Sequence, residues 1–268
     1  MRNFKAMLFR MINEALDINE NDGGDFQLSD LCLFVDRDRD DIEMVIYNGK
    51  GLIESVNNLP KDAQAGLASG YMRIFNEGLY DGMFIARMTL SGPRKREDAE
   101  VFCMDAWEVS TSSVYPDWQG KKLGRLLYGF AMMTVSPEPI MADRSSVSSK
   151  ARKVWKSMES NPAIKKLPSN DGPFTGEFDD EEDPITAPLE DDCFVHRLGG
   201  PDEGPLNKAY AYDGKDENKQ LYQLMKENHE TFLEELERIT GIRKKDVPDA
   251  LSTVGAALFR IAYNMGRD

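Results

Sequence analysis

Hydrophobic residues in the middle of the chain change from a strand-like to a helix-like spacing within a few positions. Residues 106–114 are rich in Val, Ser, Thr and Trp, a composition that favours a strand. Pro116 is expected to end that strand, because proline has no backbone donor for a sheet. Beyond it, apolar residues recur at helical spacing: Leu123, Leu126, Leu127, Phe130 and Ala131. The pattern predicts a strand, a turn and an amphipathic helix in direct succession.

Similar patterns predict further elements on both sides of this junction. The predicted strands are 31–35, 44–47, 82–90, 100–109 and 139–143, with 82–90 and 100–109 forming an antiparallel pair. The predicted helices are an N-terminal one that includes residues 4–12, then 63–77, one after Ser148, 217–240 and one from Asp246. Gly241 is expected to cap the 217–240 helix, and the last two helices are expected to pair as a hairpin.

Composition excludes several classes of protein. A net charge of -14 argues against a general nucleic-acid binder. The longest apolar stretches are too short and too interrupted to span a membrane, and no signal peptide is expected. The three cysteines and two histidines form no metal-binding pattern, so we expect no metal, reduced thiols and a cytoplasmic setting.

The junction before Leu123 is suited to holding an anion. The first amides of a helix have no acceptor within the helix, and the helix dipole favours negative charge beside them. Basic residues outnumber acidic ones over residues 119–166, and Lys121 and Arg125 are the best placed to contact a phosphate. An ordinary solvated basic face is the alternative.

Two motifs in this region resemble those of the GNAT superfamily of N-acetyltransferases. Residues 114–124 are similar to the acyl-CoA pyrophosphate loop, Q/R-x-x-G-x-G/A, with Gln119 in the first position and Gly124 in the last. Lys122 stands where the family has its middle glycine, and its side chain would crowd a diphosphate. The helix after Ser148 matches the family's Asn-x-x-Ala-x-x-Leu-Tyr, with Ser148 for Asn and Trp155 for Tyr.

The resemblance implies a fold, a domain organisation and a ligand. The fold is α/β (α+β): a mixed, mostly antiparallel sheet flanked by helices, with an appended C-terminal helical hairpin. Residues 1–166 would form the acyltransferase domain, 167–205 an acidic linker or surface loop, and 206–268 a helical extension. The co-substrate would be acetyl-CoA. Its implied contacts are Val114, Gln119, Gly120, Lys121, Lys122, Leu123, Gly124, Arg125, Ser148 and Trp155.

Catalytic roles are assigned from the residues around the loop. Glu108 is the candidate general base for the amine, with Asp105 and Asp143 as weaker alternatives, although a strand glutamate is more often solvated or salt-bridged. Family members use a tyrosine at the position of Trp155 to protonate the departing thiolate, which an indole does not do. Tyr115, a serine or water would take that role, or the thiolate would leave unassisted.

Two classes of function are consistent with these patterns. One is an acyl-CoA-dependent N-acetyltransferase acting on a primary amine that the sequence does not identify. The other is a catalytically degenerate protein of the same fold that binds protein partners through its helical ends. Residues 143–156 are similar to stretches in bacteriophage-encoded acetyltransferases, some of them virion-associated, so the second class includes a virion component.

Overall fold

The computed structural model describes residues 30–38, 40–58, 61, 84–92, 106–143, 147–168, 174–178, 184–186, 204–213 and 218–241. The first half contains β1 (Leu31–Asp38), β2 (Asp41–Asn48), α1 (Gly49–Asn57), β3 (Phe84–Ser91), β4 (Trp107–Val114), α2 (Leu123–Val135) and β5 (Ile140–Ala142). The second half contains α3 (Ser149–Glu159), β6 (Ile164–Pro168), β7 (Phe174–Phe178), β8 (Pro184–Thr186), β9 (Lys208–Tyr212) and α4 (Lys219–Thr240).

Seven of these strands form one mixed sheet in the order β1-β2-β3-β4-β5-β9-β6. Only β4 and β5 pair in parallel, and every other neighbouring pair in this sheet is antiparallel. Strands β7 and β8 form a separate antiparallel pair. The prediction of a mixed, mostly antiparallel sheet with flanking helices is therefore confirmed at this level.

Most predicted elements that fall on described residues are present. The strands predicted at 31–35, 44–47, 82–90, 106–114 and 139–143 correspond to β1 to β5. Of the strand predicted at 100–109, only the end from Trp107 falls on strand β4, and residues 100–105 lie outside the described residues. The antiparallel pairing of β3 with β4 is confirmed. The 217–240 helix corresponds to α4, and Gly241 caps it with a φ of 71°. The predicted helices at 4–12, at 63–77 and from Asp246, and the candidate Asp105, lie outside the described residues.

Strands β6 and β9 were not predicted, and they extend the sheet beyond β5. Strand β9 lies between β5 and β6, so residues 208–212 pair directly with the middle of the sheet. The expected boundary at residue 166 falls within β6. Pattern analysis missed β9 because Ala209, Tyr210 and Ala211 are all buried, which removes the polar alternation of a half-exposed strand.

Helix α2 packs on the sheet and fixes the position of the loop before it. Its side chains Leu127, Phe130 and Ala131 are fully buried in the main core. A buried side chain of this size contributes roughly 1.5–3 kcal/mol through the hydrophobic effect. The start of α2 is therefore held firmly against β4. Among the described helices, none has the length and apolar character needed to cross a membrane.

Candidate functional site

A cavity of about 760 Å³ opens where β4 extends beyond β5. The two parallel strands pair only from Trp107 to Val109, so the last residues of β4 have no partner on that side from β5. The beginnings of α2 and α3 face this gap. The lining residues are Ser112, Ser113, Val114, Trp118, Gln119, Gly120, Lys122, Leu123, Gly124, Arg125, Leu127, Tyr128, Ser148, Lys150, Ala151, Lys153, Val154 and Ser157.

The turn that enters α2 contains two residues with positive φ. Gly120 has a φ of 83°, which glycine adopts without a steric penalty. Lys122 has a φ of 59° and a ψ of 6°, in the left-handed region that ordinary residues avoid. The backbone at Lys122 thus has the conformation that glycine favours, at the position where the GNAT motif has its middle glycine. Its side chain does not cap α2.

Gly124 lies between β4 and α3 without being required by the packing of the protein itself. A Cβ atom added there would be 3.9 Å from a methyl group of Val114 and 3.9 Å from one of Val154. Both distances are ordinary van der Waals contacts, so the protein would accept alanine. The space next to Gly124 belongs to the cavity, where a bare backbone permits the close approach of a ligand.

Gln119 connects the end of β4 to the beginning of α3. Its amide Nε2 donates to the carbonyl oxygen of Val114 at 3.0 Å, and its Oε1 accepts from the Nζ of Lys150 at 2.8 Å. The N-cap of α3 is Ser148, whose hydroxyl accepts from the backbone N–H of Ala151 at 3.2 Å. The Gln119 contacts hold the first turn of α3 beside the end of β4.

The charged side chains that line the cavity all carry positive charge. They are Lys122, Arg125, Lys150 and Lys153, and no carboxylate is among the described lining residues. Arg125 donates through Nη2 to the hydroxyl of Ser157 on α3. Two helix N-termini add partial positive charge at one end of the same space. The arrangement is suited to a ligand with several negative charges.

A pair of hydroxyl groups, from β4 and α2, is part of the cavity lining. The Tyr128 hydroxyl on α2 is 3.0 Å from the hydroxyl of Ser112 on β4, and the two share a hydrogen bond. Burial raises the pKa of Tyr128, so its hydroxyl stays protonated at neutral pH. The ring of Trp155 packs edge-on against the Tyr128 ring, with the centroids 5.0 Å apart. Tyr128 thus contributes a neutral, positioned hydroxyl group to the cavity lining.

Eight of the ten predicted acetyl-CoA contacts line this cavity: Val114, Gln119, Gly120, Lys122, Leu123, Gly124, Arg125 and Ser148. The other two lie elsewhere. Lys121 places its ammonium 5.0 Å from the centre of the Trp118 ring. Trp155 is 1% exposed and packs in the core against Tyr128 and Tyr210.

The predicted catalytic residues are not among the described residues that line the cavity. Glu108 lies on β4 between the buried Trp107 and Val109 and is directed to the other face of the sheet. Tyr115 follows β4, where its backbone N–H donates to the carbonyl of Ile85 at 2.9 Å. Asp143 follows the short strand β5 and is half-buried. The structure brings eight of the ten expected ligand contacts together and leaves these three residues outside the cavity.

Several lining residues were not predicted. Ser112 precedes the motif, Tyr128 is one helical turn after Gly124, and Ser157 is two turns after Lys150. The sequence offered a signal for Ser157, since positions 150, 153, 154 and 157 share one helix face. The position of Ser112 could not be predicted from the alternation of the strand, because β4 contains a β-bulge. Leu90 pairs with Val109 and Thr89 with Thr111, so the unmatched Ser110 shifts the alternation of β4.

No protein-family model matches the chain, and comparisons with curated proteins and with solved structures find no significant match.

Proposed function

We propose that this protein is an acyl-CoA-dependent N-acetyltransferase with a GNAT-like active site. One observation carries the proposal. The loop that resembles the pyrophosphate motif and the helix that resembles the family's next motif line a single cavity, at the point where β4 extends beyond its parallel neighbour. The two motifs are separated in sequence, and the resemblance requires them to act on one ligand.

The lining of the cavity fits the chemistry of acetyl-CoA. Two helix N-termini with the adjacent Lys122 and Lys150 suit a diphosphate, while the apolar Leu127 and Val154 suit the pantetheine chain. The volume lies in the range of roughly 300–1,000 Å³ that is typical of small-molecule sites. The first amides of α2, together with Lys122 and Lys150, would hold the diphosphate. The Gln119–Lys150 bond would orient the ammonium group toward it.

Acyl transfer requires the amine nitrogen to bond to the thioester carbonyl carbon as the C–S bond breaks. The amine loses a proton, and the departing thiolate takes one up. Tyr128 is the described lining residue with a neutral, titratable hydroxyl, and its bond to Ser112 offers a path for proton replacement. Tyr128 would therefore take the donor role for which the sequence suggested Tyr115, a serine or water.

The described cavity lining contains neither a carboxylate nor a histidine that could act as the general base for the amine. Glu108, on the other face of the sheet, has no direct path to the cavity, so the amine would enter already neutral or lose its proton to solvent. Positioning the two reactants supplies much of the rate enhancement without a dedicated base.

A catalytically degenerate protein of the same fold is the second candidate. It is favoured by Trp155, whose buried indole replaces a titratable hydroxyl, and by Lys122, which keeps a glycine conformation without being glycine. Such a protein would use the fold to bind partners, as a virion component would. It would bind acetyl-CoA weakly or not at all and release no thiol.

Titration calorimetry with acetyl-CoA, followed by a thiol-release assay against a panel of primary amines, tests both candidates. We expect binding by the natural chain and loss of binding in Gly124→Leu, because the leucine side chain would fill the space beside α2. The unfolding temperature of the variant should be equal to or higher than that of the natural chain, because leucine is more favourable in a helix than glycine by about 1 kcal/mol. The titration is run at two temperatures, because a binding enthalpy near zero at one temperature is not zero at another. No heat at either temperature with roughly 1 mM acetyl-CoA would exclude an affinity worth more than about 4 kcal/mol and refute the proposal. Binding without thiol release from any amine would favour the degenerate candidate.

A further inference from the structure

Positive charge along the cavity is found at two positions along the axis of α3, one near its N-terminus and one about two turns later. Lys150, Lys153 and Ser157 lie on the face of α3 that lines the cavity, at spacings of three and four residues. A helix rises about 1.5 Å per residue, so Ser157 lies roughly 10 Å beyond Lys150 along the axis. The charged wall is therefore longer than one phosphate group.

Arg125 is at the position farther from the N-terminus of α3. It extends from the first turn of α2, and its guanidinium donates to the hydroxyl of Ser157. Lys153, one turn before Ser157, lines the same wall. Lys150 is held at the other position by its 2.8 Å bond to Gln119. An anion bound beside Gln119 and the helix N-termini would not contact the guanidinium of Arg125, which could then bind a second anion.

We propose that Arg125, Lys153 and Ser157 form a second anion subsite that binds a phosphate monoester separate from the diphosphate. In acetyl-CoA this group is the 3′-phosphate of the ribose, so the inference rests on the proposed function. It gives Arg125 a different task from the rest of the loop. Although the sequence places this residue in the pyrophosphate motif, its side chain is directed two turns along α3.

The chemistry of the three side chains suits a phosphate monoester. Such a group carries about -1.5 to -2 charge at neutral pH and has three acceptor oxygens. A guanidinium binds phosphate through two parallel hydrogen bonds, and an ammonium group adds a point charge. The Ser157 hydroxyl accepts from Arg125 and still has its own hydrogen to donate. It acts as a positioning residue for the guanidinium.

The test compares the affinities of CoA and 3′-dephospho-CoA, two ligands that differ by the monoester alone. We expect CoA to bind roughly 10- to 100-fold more tightly to the natural chain, the range for hydrogen bonds to charged groups. Arg125→Gln and Lys153→Gln should each reduce this ratio by lowering the affinity for CoA. The affinity for 3′-dephospho-CoA should stay nearly constant in both variants.

Lys156→Gln is the matched control, because Lys156 lies on the same helix, is exposed and is not among the described lining residues. It should leave the ratio unchanged. Ser157→Ala separates positioning from structural damage: loss of orientation lowers the CoA affinity alone, whereas a disturbed cavity lowers both affinities together. Adenosine 3′,5′-bisphosphate against 5′-AMP repeats the comparison without pantetheine.

Each outcome decides between the two proposals. Equal affinities for CoA and 3′-dephospho-CoA in the natural chain would overturn the second subsite and leave the proposed function standing. A preference for CoA that persists in Arg125→Gln and Lys153→Gln would also overturn it. If neither ligand bound at roughly 1 mM, the proposed function and the subsite would both fail.

Discussion

The cavity and the contact between β1, β2 and α4 both contain polar side chains, but they organise these groups in opposite ways. At the cavity, four cations line open space and no carboxylate is among the described lining residues. At the other contact, Cys32, Tyr47 and His229 are buried together. The Tyr47 hydroxyl is 2.6 Å from Nδ1 of His229, and this pair is hydrogen-bonded.

The difference separates groups that line open space, which we propose bind a ligand, from groups that hold the fold together. His229 also packs against the ring of Phe34, with the centroids 5.5 Å apart, and Phe232 packs edge-on against Tyr47. Burial raises the pKa of Cys32 to about 12, so its thiol stays protonated. Since these groups satisfy one another, we assign them to stability. The largest effects on the free energy of unfolding should arise here, and the largest effects on binding at the cavity.

Acidification should weaken the contact at α4 more than any single change at the cavity. Burial, and then the charge of Lys226, lower the pKa of His229 from 6.5 to about 4. Between these values the unfolded chain binds a proton that the folded chain excludes, so stability is complete above about pH 6.5 and falls as the pH approaches 4. The loss is about 3 kcal/mol when it is complete, below pH 4, of which roughly 2.4 kcal/mol is lost between pH 7 and pH 4.5. Urea unfolding at pH 7 and pH 4.5 measures it.

His229→Gln is the control for that experiment, because every other titratable group is the same in the two proteins and cancels in the difference. The variant should be less stable at pH 7 and lose less stability on acidification. Identical pH dependences in the two proteins would show that His229 does not carry the effect.

Gly49→Ala tests how tightly the same contact is packed. A Cβ at residue 49 would be 2.5 Å from Sγ of Cys32 and 3.4 Å from the ring of Phe232. Crowding of this kind costs about 1–3 kcal/mol. Cys32→Ala removes the sulfur, so the cost of Gly49→Ala should fall sharply in that background. A double-mutant cycle by urea unfolding measures the coupling, and additive effects would contradict the assigned contact.

The sequence predicted the cavity better than it predicted this contact. The motif residues 114–125 are consecutive in the chain, so they could be recognised as a unit. The Cys32–Tyr47–His229 cluster joins three elements from distant parts of the chain, and nothing in the sequence near His229 indicated a role. Strand β9 was missed for the same kind of reason, because its position depends on pairing with β5 and β6.

Lys122 is the one place where the loop departs from its motif, and it should have a measurable cost. Its left-handed backbone conformation costs an ordinary residue about 1–2 kcal/mol. Lys122→Gly removes that strain. Glycine also increases the conformational entropy of the unfolded chain, which offsets part of the effect, so we expect a net stabilisation of about 0.5–1 kcal/mol. Lys121→Gly is the matched control. Lys121 does not have a positive φ and its ammonium packs over Trp118, so this variant should be destabilised.

The smallest expected effect on stability comes from the cavity cations. Lys153 is exposed and lies beside Lys150 and Arg125, so Lys153→Ala removes like-charge repulsion along with a solvated side chain. The free energy of unfolding should change by less than about 0.5 kcal/mol, toward greater stability. High salt should shrink the difference by screening the charges. A loss as large as that of Gly49→Ala would mean that Lys153 supports the fold, and the contrast between the two regions would no longer hold. A small gain in stability together with weaker CoA binding would mean that Lys153 slightly destabilises the fold and contributes to binding the ligand.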